Sequence, residues 1–219
     1  MSEFLGRRLP VYLLLDTSGS MSGEPIEAVR QGVKALVSDL RGDPMALENA
    51  FLSVITFNSG AQQVCPLTEL VSFQEPTLSA GGTTALGEAL KLLEQCVDRE
   101  VRKSSPTQKG DWKPLIFLMT DGQPTDSWEQ AADRIRSAKP GNVIACAAGP
   151  GADASILKKI TENVVELKSL QPEQLKAFFK WVSSSIKSAS QKVDQTPTAG
   201  TADLNLAPPP ANSGINIVL

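Results

Sequence analysis

The chain has 219 residues, 41% of them hydrophobic, a formal net charge of −3 and no histidine. That is enough apolar material for one sizeable core. The missing histidine excludes His-based triads, His general bases and the usual zinc sets, and the acidic balance argues against nonspecific nucleic-acid binding. Cys65, Cys96 and Cys146 are odd in number and lack CxxC spacing. They read as reduced, inert residues on core elements of a cytoplasmic protein. No signal core follows Arg7 and Arg8, and no apolar run approaches a membrane span.

Residues 1–7 read as a leader, 8–190 as one domain and 191–219 as a flexible tail. Val11 to Leu15 is a continuous apolar run, the pattern of a strand buried on both faces, and it stops at Asp16. From Pro25 onward Ile26, Val29, Val33, Leu36, Val37 and Leu40 recur at helical spacing, with Gly42 as the stop. Ala50 to Phe57 is β-rich, and Asn58-Ser59-Gly60 is a turn. Ala61 to Leu67 then returns as an edge strand of a hairpin.

Ser79 to Ala85 holds a glycine pair and two threonines, so Thr83 or Thr84 is expected to cap the helix carrying Leu86, Leu90, Leu93 and Val97. Arg99 to Lys113 reads as an exposed, solvated loop. Pro114 to Thr120 is a second wholly apolar strand that ends at a carboxylate, Asp121. Trp128, Ala131, Ala132 and Ile135 mark a helix, Asn142 to Ala148 a buried strand, and Ile156, Leu157 and Ile160 a short helix. Val164 to Leu167 is the next strand, and Leu175, Phe178, Phe179, Val182 and Ile186 stripe a closing helix. Strands alternating with helices imply an α/β, doubly wound fold with a mostly parallel sheet. The tail carries a Pro208-Pro209-Pro210 run. Its end, Ile215 to Leu219, is read as loose in preference to a strand added to a sheet edge.

In such a sheet the first strand and the strand after the second crossover are neighbours, and ligands sit at their carboxyl ends. Asp16, Ser18 and Ser20 then share one crevice with Asp121, and the Gly81-Gly82-Thr83 loop arrives from the side. Carboxylates and hydroxyls without nitrogen or sulfur suit a hard cation, Mg²⁺ before Mn²⁺ or Ca²⁺. Taken singly, each hydroxyl is explained by capping or turn closure. Their convergence at three strand ends favours a metal.

Asp16-x-Ser18-x-Ser20, Thr83 after a glycine pair, and Asp121-Gly122 after an apolar strand resemble the metal-ion-dependent adhesion site (MIDAS) of von Willebrand factor A domains. The resemblance implies a sheet of order 3-2-1-4-5-6 with one antiparallel edge strand, flanked by helices. It implies that Asp16, Ser18, Ser20, Thr83 and Asp121 hold the metal directly or through water. Thr84 is read as a cap or as a residue behind the ligands, and Asp126, which the resemblance does not match to a family position, as a loop residue tuning the site. More narrowly, LPVYLLLDTSGSM, SAGGTTALGEAL and LIFLMTDGQPTD look like the bacterial tellurium-resistance-associated, TerY-type group. That likeness implies a role in tellurite or general stress resistance, beside a PP2C-type phosphatase and a protein kinase, with phosphorylation of the chain's own Ser or Thr residues.

The expected function is a metal-dependent scaffold that takes an Asp or Glu of a protein partner onto the metal. The alternative is a Mg²⁺-dependent phosphatase with Asp16 as nucleophile. It lacks the general acid two residues on, where Ser18 stands, and no GxxxxGKS/T phosphate loop occurs. Direct tellurite binding has no basic cluster or reactive thiol near the crevice to support it.

Overall fold

The computed structural model describes residues 7–105, 109–195, 208–211 and 213–218. Its strands are β1 (Leu9–Asp16), β2 (Ala50–Phe57), β3 (Ala61–Glu69), β4 (Leu115–Thr120), β5 (Asn142–Ala148), β6 (Val164–Leu167) and β7 (Ile215–Val218). Its helices are α1 (Glu24–Arg41), α2 (Pro44–Asn49), α3 (Leu86–Glu100), α4 (Glu129–Ala138), α5 (Ala154–Lys158) and α6 (Pro172–Gln195). The sheet order is β3-β2-β1-β4-β5-β6-β7. The expected 3-2-1-4-5-6 order is therefore present, with β3 antiparallel to β2 and the strands from β2 to β6 parallel.

β1 is central because every residue in it is buried. Val11, Leu13 and Leu15 point into the core under α1 and α6, whereas Tyr12 and Leu14 point into the one under α3 and α4. This two-sided burial is what an unbroken apolar run encodes. The helices satisfy it with apolar stripes at helical spacing, such as Val29, Val33, Leu36 and Val37 on α1 and Leu175, Phe178, Phe179 and Val182 on α6.

Five differences from the sequence reading stand out. Ile215–Val218 is not loose: it pairs antiparallel with β6, from Leu167↔Ile215 to Val164↔Val218, and becomes the second antiparallel edge strand. An apolar INIV segment beside an open strand edge satisfies backbone groups that β6 would otherwise leave unpaired. α2 was not anticipated. Asp43 caps it by accepting from the Ala46 N–H at 2.9 Å, with Pro44 in the first turn. The far end of the Arg99–Lys113 segment packs inward, with Trp112 only 3% exposed and its N–H donating to the Arg8 carbonyl at 2.9 Å. Cys96 and Cys146 are buried, but Cys65 on β3 is half-buried. Finally, α6 continues through Gln195, past the boundary expected at residue 190. Residues 1–6, and 196–207 of the tail, lie outside the described residues.

Candidate metal centre

Leu15 of β1 pairs with Met119 of β4, so Asp16 stands beside Thr120 and Asp121 follows one residue beyond. Both apolar runs end at this edge, and their first polar side chains meet there. Asp16 is fully buried, and Ser18, Thr120 and Asp121 are nearly so.

A chain of hydrogen bonds links the two carboxylates. Asp16 Oδ1 accepts from the Ser18 N–H at 2.8 Å, closing the turn after β1. Ser18 Oγ lies 3.1 Å from Ser20 Oγ, and the Ser20 hydroxyl donates to Asp121 Oδ1 at 2.9 Å. Alternate positions converge because the chain leaves β1 through a short 3-10 turn, Gly19–Met21. The structure thus brings Asp16, Ser18, Ser20 and Asp121 together.

Thr83 arrives with its loop, but its hydroxyl is engaged elsewhere. The loop is zipped to the turn after β1 by Gly19 N–H to Gly82 O at 3.0 Å and Gly81 N–H to Thr17 O at 2.9 Å. Gly82 has φ +78, and a Cβ there would lie 2.4 Å from Ser59 Oγ, so glycine is required. Thr83 is exposed. Both its N–H (3.1 Å) and its hydroxyl (3.4 Å) donate to Ser59 Oγ.

Neither threonine caps α3 as expected. The N-cap is Ala85, which makes no side-chain cap bond. Asp126, from the loop after β4, supplies the cap instead. Its Oδ1 accepts from the Gly87 N–H and its Oδ2 from the Glu88 N–H, each at 3.0 Å. A Cβ on Gly87 would come within 2.9 Å of that carboxylate, so the close approach depends on glycine. Thr84 joins the same loop, its N–H donating to Thr125 Oγ1 at 3.1 Å and its carbonyl accepting from the Thr125 N–H at 2.9 Å. Asp126 therefore joins the two loops that flank the crevice.

Thr120 was missed by the sequence reading. Its hydroxyl donates to Asp16 Oδ2 at 2.5 Å, so both oxygens of Asp16 are held within the fold. The available signal was a hydroxyl at the last position of an otherwise apolar strand. Ser59 was missed as well, having been read only as part of a turn.

Burial raises the Asp16 carboxyl above its ordinary pKa. Hydrogen bonds from Thr120 and Ser18 act against that rise, and the charge of Asp121 adds to it. Asp121 is likewise raised, by burial first, with Ser20 opposing. Among the described residues no lysine or arginine pairs with either carboxylate. Nor do three His, Cys, Asp or Glu side chains gather at any point among them. The centre therefore offers two acids and neutral hydroxyls, a donor set that fits a hard divalent cation and not a soft one. Two acids close together, desolvated and without a cation, leave a negative charge that such an ion would balance.

A family model described as "von Willebrand factor type A domain" matches residues 11–181. The uncharacterized protein sll0103 of Synechocystis is 35% identical over 144 residues, which are 63% of this chain and 30% of that protein. This chain thus spans less than a third of that relative's length. Among solved structures, a von Willebrand factor type A protein from Catenulispora acidiphila is similar with a TM-score of 0.64 at 20% identity, covering 84% of this chain and 43% of that one. Proximal thread matrix protein 1 from the mussel byssus, with zinc occupying its MIDAS motif, gives 0.60 at 20% identity, over 83% and 48%. The open conformation of the pilus adhesin SpaC from Lactobacillus rhamnosus GG gives 0.65 at 15%, over 84% and 30%. At these identities the three structures speak to the fold. Among the described residues no helix is long and apolar enough to cross a membrane.

Proposed function

The chain belongs to the von Willebrand factor type A domain family, and from that membership we propose that it is a metal-dependent protein-binding scaffold. The observation that carries the proposal is the network of buried Asp16, Ser18 and Asp121 joined through the exposed Ser20, which has no basic partner among the described residues. Asp16, Ser18, Ser20, Thr83 and Asp121 are the residues that would hold Mg²⁺, with Mn²⁺ and Ca²⁺ as alternatives. The bound ion would supply an electrophilic position for an outside carboxylate.

The chain's own part is positional. Thr120 and the Ser18 N–H fix both oxygens of Asp16, so the carboxylate does not swing. Ser20 orients Asp121. Asp126 and the Gly81–Gly82 zipper set the heights of the loops that a partner would meet. The zinc-bearing neighbour lends support, because its MIDAS motif holds a divalent ion on the same fold.

The burial of Asp16 supports a binding role over catalysis, since a nucleophile needs an oxygen free to attack. In this reading the chain is not an enzyme, its binding unit runs from residue 8 to the end of α6 at Gln195, and it works in the cytoplasm. The finer setting is bacterial tellurite or stress resistance with a PP2C-type phosphatase and a protein kinase as partners. It is supported by the TerY-like segments Leu9–Met21, Ser79–Leu90 and Leu115–Asp126.

The test is capture of such a phosphatase and kinase by the immobilised full chain in Mg²⁺ or in EDTA, with wild type and Asp16→Asn. The proposal expects capture by the wild type in Mg²⁺ only. Equal capture in EDTA and by Asp16→Asn would overturn it.

A further inference from the structure

At the opposite end of the sheet lies a cavity of about 630 Å³, within the size range of small-molecule sites. It opens where β4, β5 and β6 begin, roughly 20 Å along β5 from the carboxylate edge. The Asp16 network contributes nothing to its lining.

Three cations, Lys113, Arg136 and Lys139, line it against one acid, Glu162. Arg136 is partly committed. Its guanidinium donates to the Lys158 carbonyl at 3.2 Å and lies 3.9 Å from the Glu162 carboxylate. Its floor is apolar, with Ile135, Ile160, Val164 and Trp181, and Pro208, Pro209 and Ile217 of the C-terminal segment form one wall. β7 therefore does more than cover an edge, because the segment that carries it completes this cavity.

Two features call for a ligand. The side-chain amide nitrogen of Asn142, a lining residue, is buried without a hydrogen-bond partner. Asn142 is one of four residues with such an orphan atom among the described residues and the one of them that lines this cavity, where a turn of its amide would meet a bound acceptor. Lys139 is the only non-glycine residue with positive φ (+46) among the described residues. It occupies the left-handed C-cap of α4, a position that glycine takes without strain. A lysine held in a glycine conformation at the rim of a basic cavity is a cost that a bound anion explains.

We propose that this cavity binds a small amphipathic anion: an apolar body lying on the Ile160–Trp181 floor, with a carboxylate or phosphate head held by Lys139, Arg136 and the Asn142 amide. The ligand is chemically distinct from the cation and acidic peptide of the opposite edge.

Isothermal titration of the full chain in EDTA tests this with octanoate and phenyl phosphate as probes and benzyl alcohol as the uncharged control. The expected result is saturable one-to-one binding of at least one anion and none of the control, and the two arms identify the head group. Lys139→Gly should bind about tenfold more weakly while its melting temperature stays equal or rises. A purely structural lysine would move the melting temperature alone. Asp16→Asn should bind the anion as wild type does, which keeps this result separate from the fate of the metal proposal. Absence of saturable binding, equal binding of benzyl alcohol, unchanged affinity in Lys139→Gly, or loss of binding in Asp16→Asn would each overturn the proposal.

Discussion

Strand β1 carries charge at both ends, and the two ends treat it in opposite ways. At its start, Arg8 is paired with Asp111 at 2.5 Å, and the two side chains are 10% and 2% exposed. Arg8 Nε reaches both Asp111 oxygens, and the Arg102 N–H donates to Asp111 as well. Close by, the Tyr12 hydroxyl donates to Glu100, which also accepts from Gln63. At its far end, Asp16 and Asp121 are buried with hydroxyl and amide donors only. Burying a charge is costly unless it is paired. The first end closes the sheet and is complete in itself, whereas the second leaves negative charge for a ligand to balance.

The largest effect should come from breaking the complete end. Asp111→Ala strands the buried Arg8 guanidinium and should cost about 3–5 kcal/mol, read by urea unfolding. A loss below about 1 kcal/mol would show that the pair is not the closure inferred here.

At the other end the sign reverses. Asp16 has a raised pKa in the fold because burial disfavours its charged form. The folded protein then keeps this proton at pH values where the unfolded chain has released it. The associated stability is complete below the unfolded pKa and is lost as pH rises through the higher folded one. In EDTA, Asp16→Asn should therefore be more stable than wild type at neutral pH, and the difference should shrink as pH falls toward 4. Thermal unfolding across pH reads this directly, and a neutral-pH loss would contradict it.

Asp126→Ala removes the carboxylate that caps α3 from another loop and should cost about 1 kcal/mol, measured by denaturant. The smallest effect concerns the exposed pair of Asp39 with Lys187 at 2.5 Å. Hydrogen bonds from Lys187 and Ser183 hold the Asp39 carboxyl below its ordinary value. Its contribution is present above the unfolded pKa and lost as pH falls through the folded one. Lys187→Ala should cost about 0.5 kcal/mol at neutral pH and less under strong acid.

The same contrast explains what was legible in the sequence. Apolar runs that stop at Asp16 and Asp121 announce buried parallel strands and the edge where they end, because burial on both faces leaves no other pattern. Asp16, Ser18 and Ser20 lie on one short stretch, so their convergence follows from local geometry. Thr120, Ser59 and Asp126 act through partners about 24 to 104 residues away, fixed by strand register and loop docking. No periodicity encodes such pairs. Trp112 and Asp111 were hidden for a similar reason: a polar, glycine-containing segment reads as loop even when its last residues close the core. β7 was undervalued because a four-residue strand depends on the open edge of β6, which the sequence does not display.

The central claim is that the Asp16–Asp121 edge is a cation site. Thermal unfolding of wild type and Asp16→Asn in EDTA, Mg²⁺, Mn²⁺ and Ca²⁺ tests it most directly. An ion that binds only the folded state stabilises it by about 2.7 kcal/mol at a hundredfold excess over Kd. The account predicts a shift of that order in the wild type with at least one ion, and none in Asp16→Asn. Equal melting in EDTA and in every ion, or the same shift in both proteins, would contradict it.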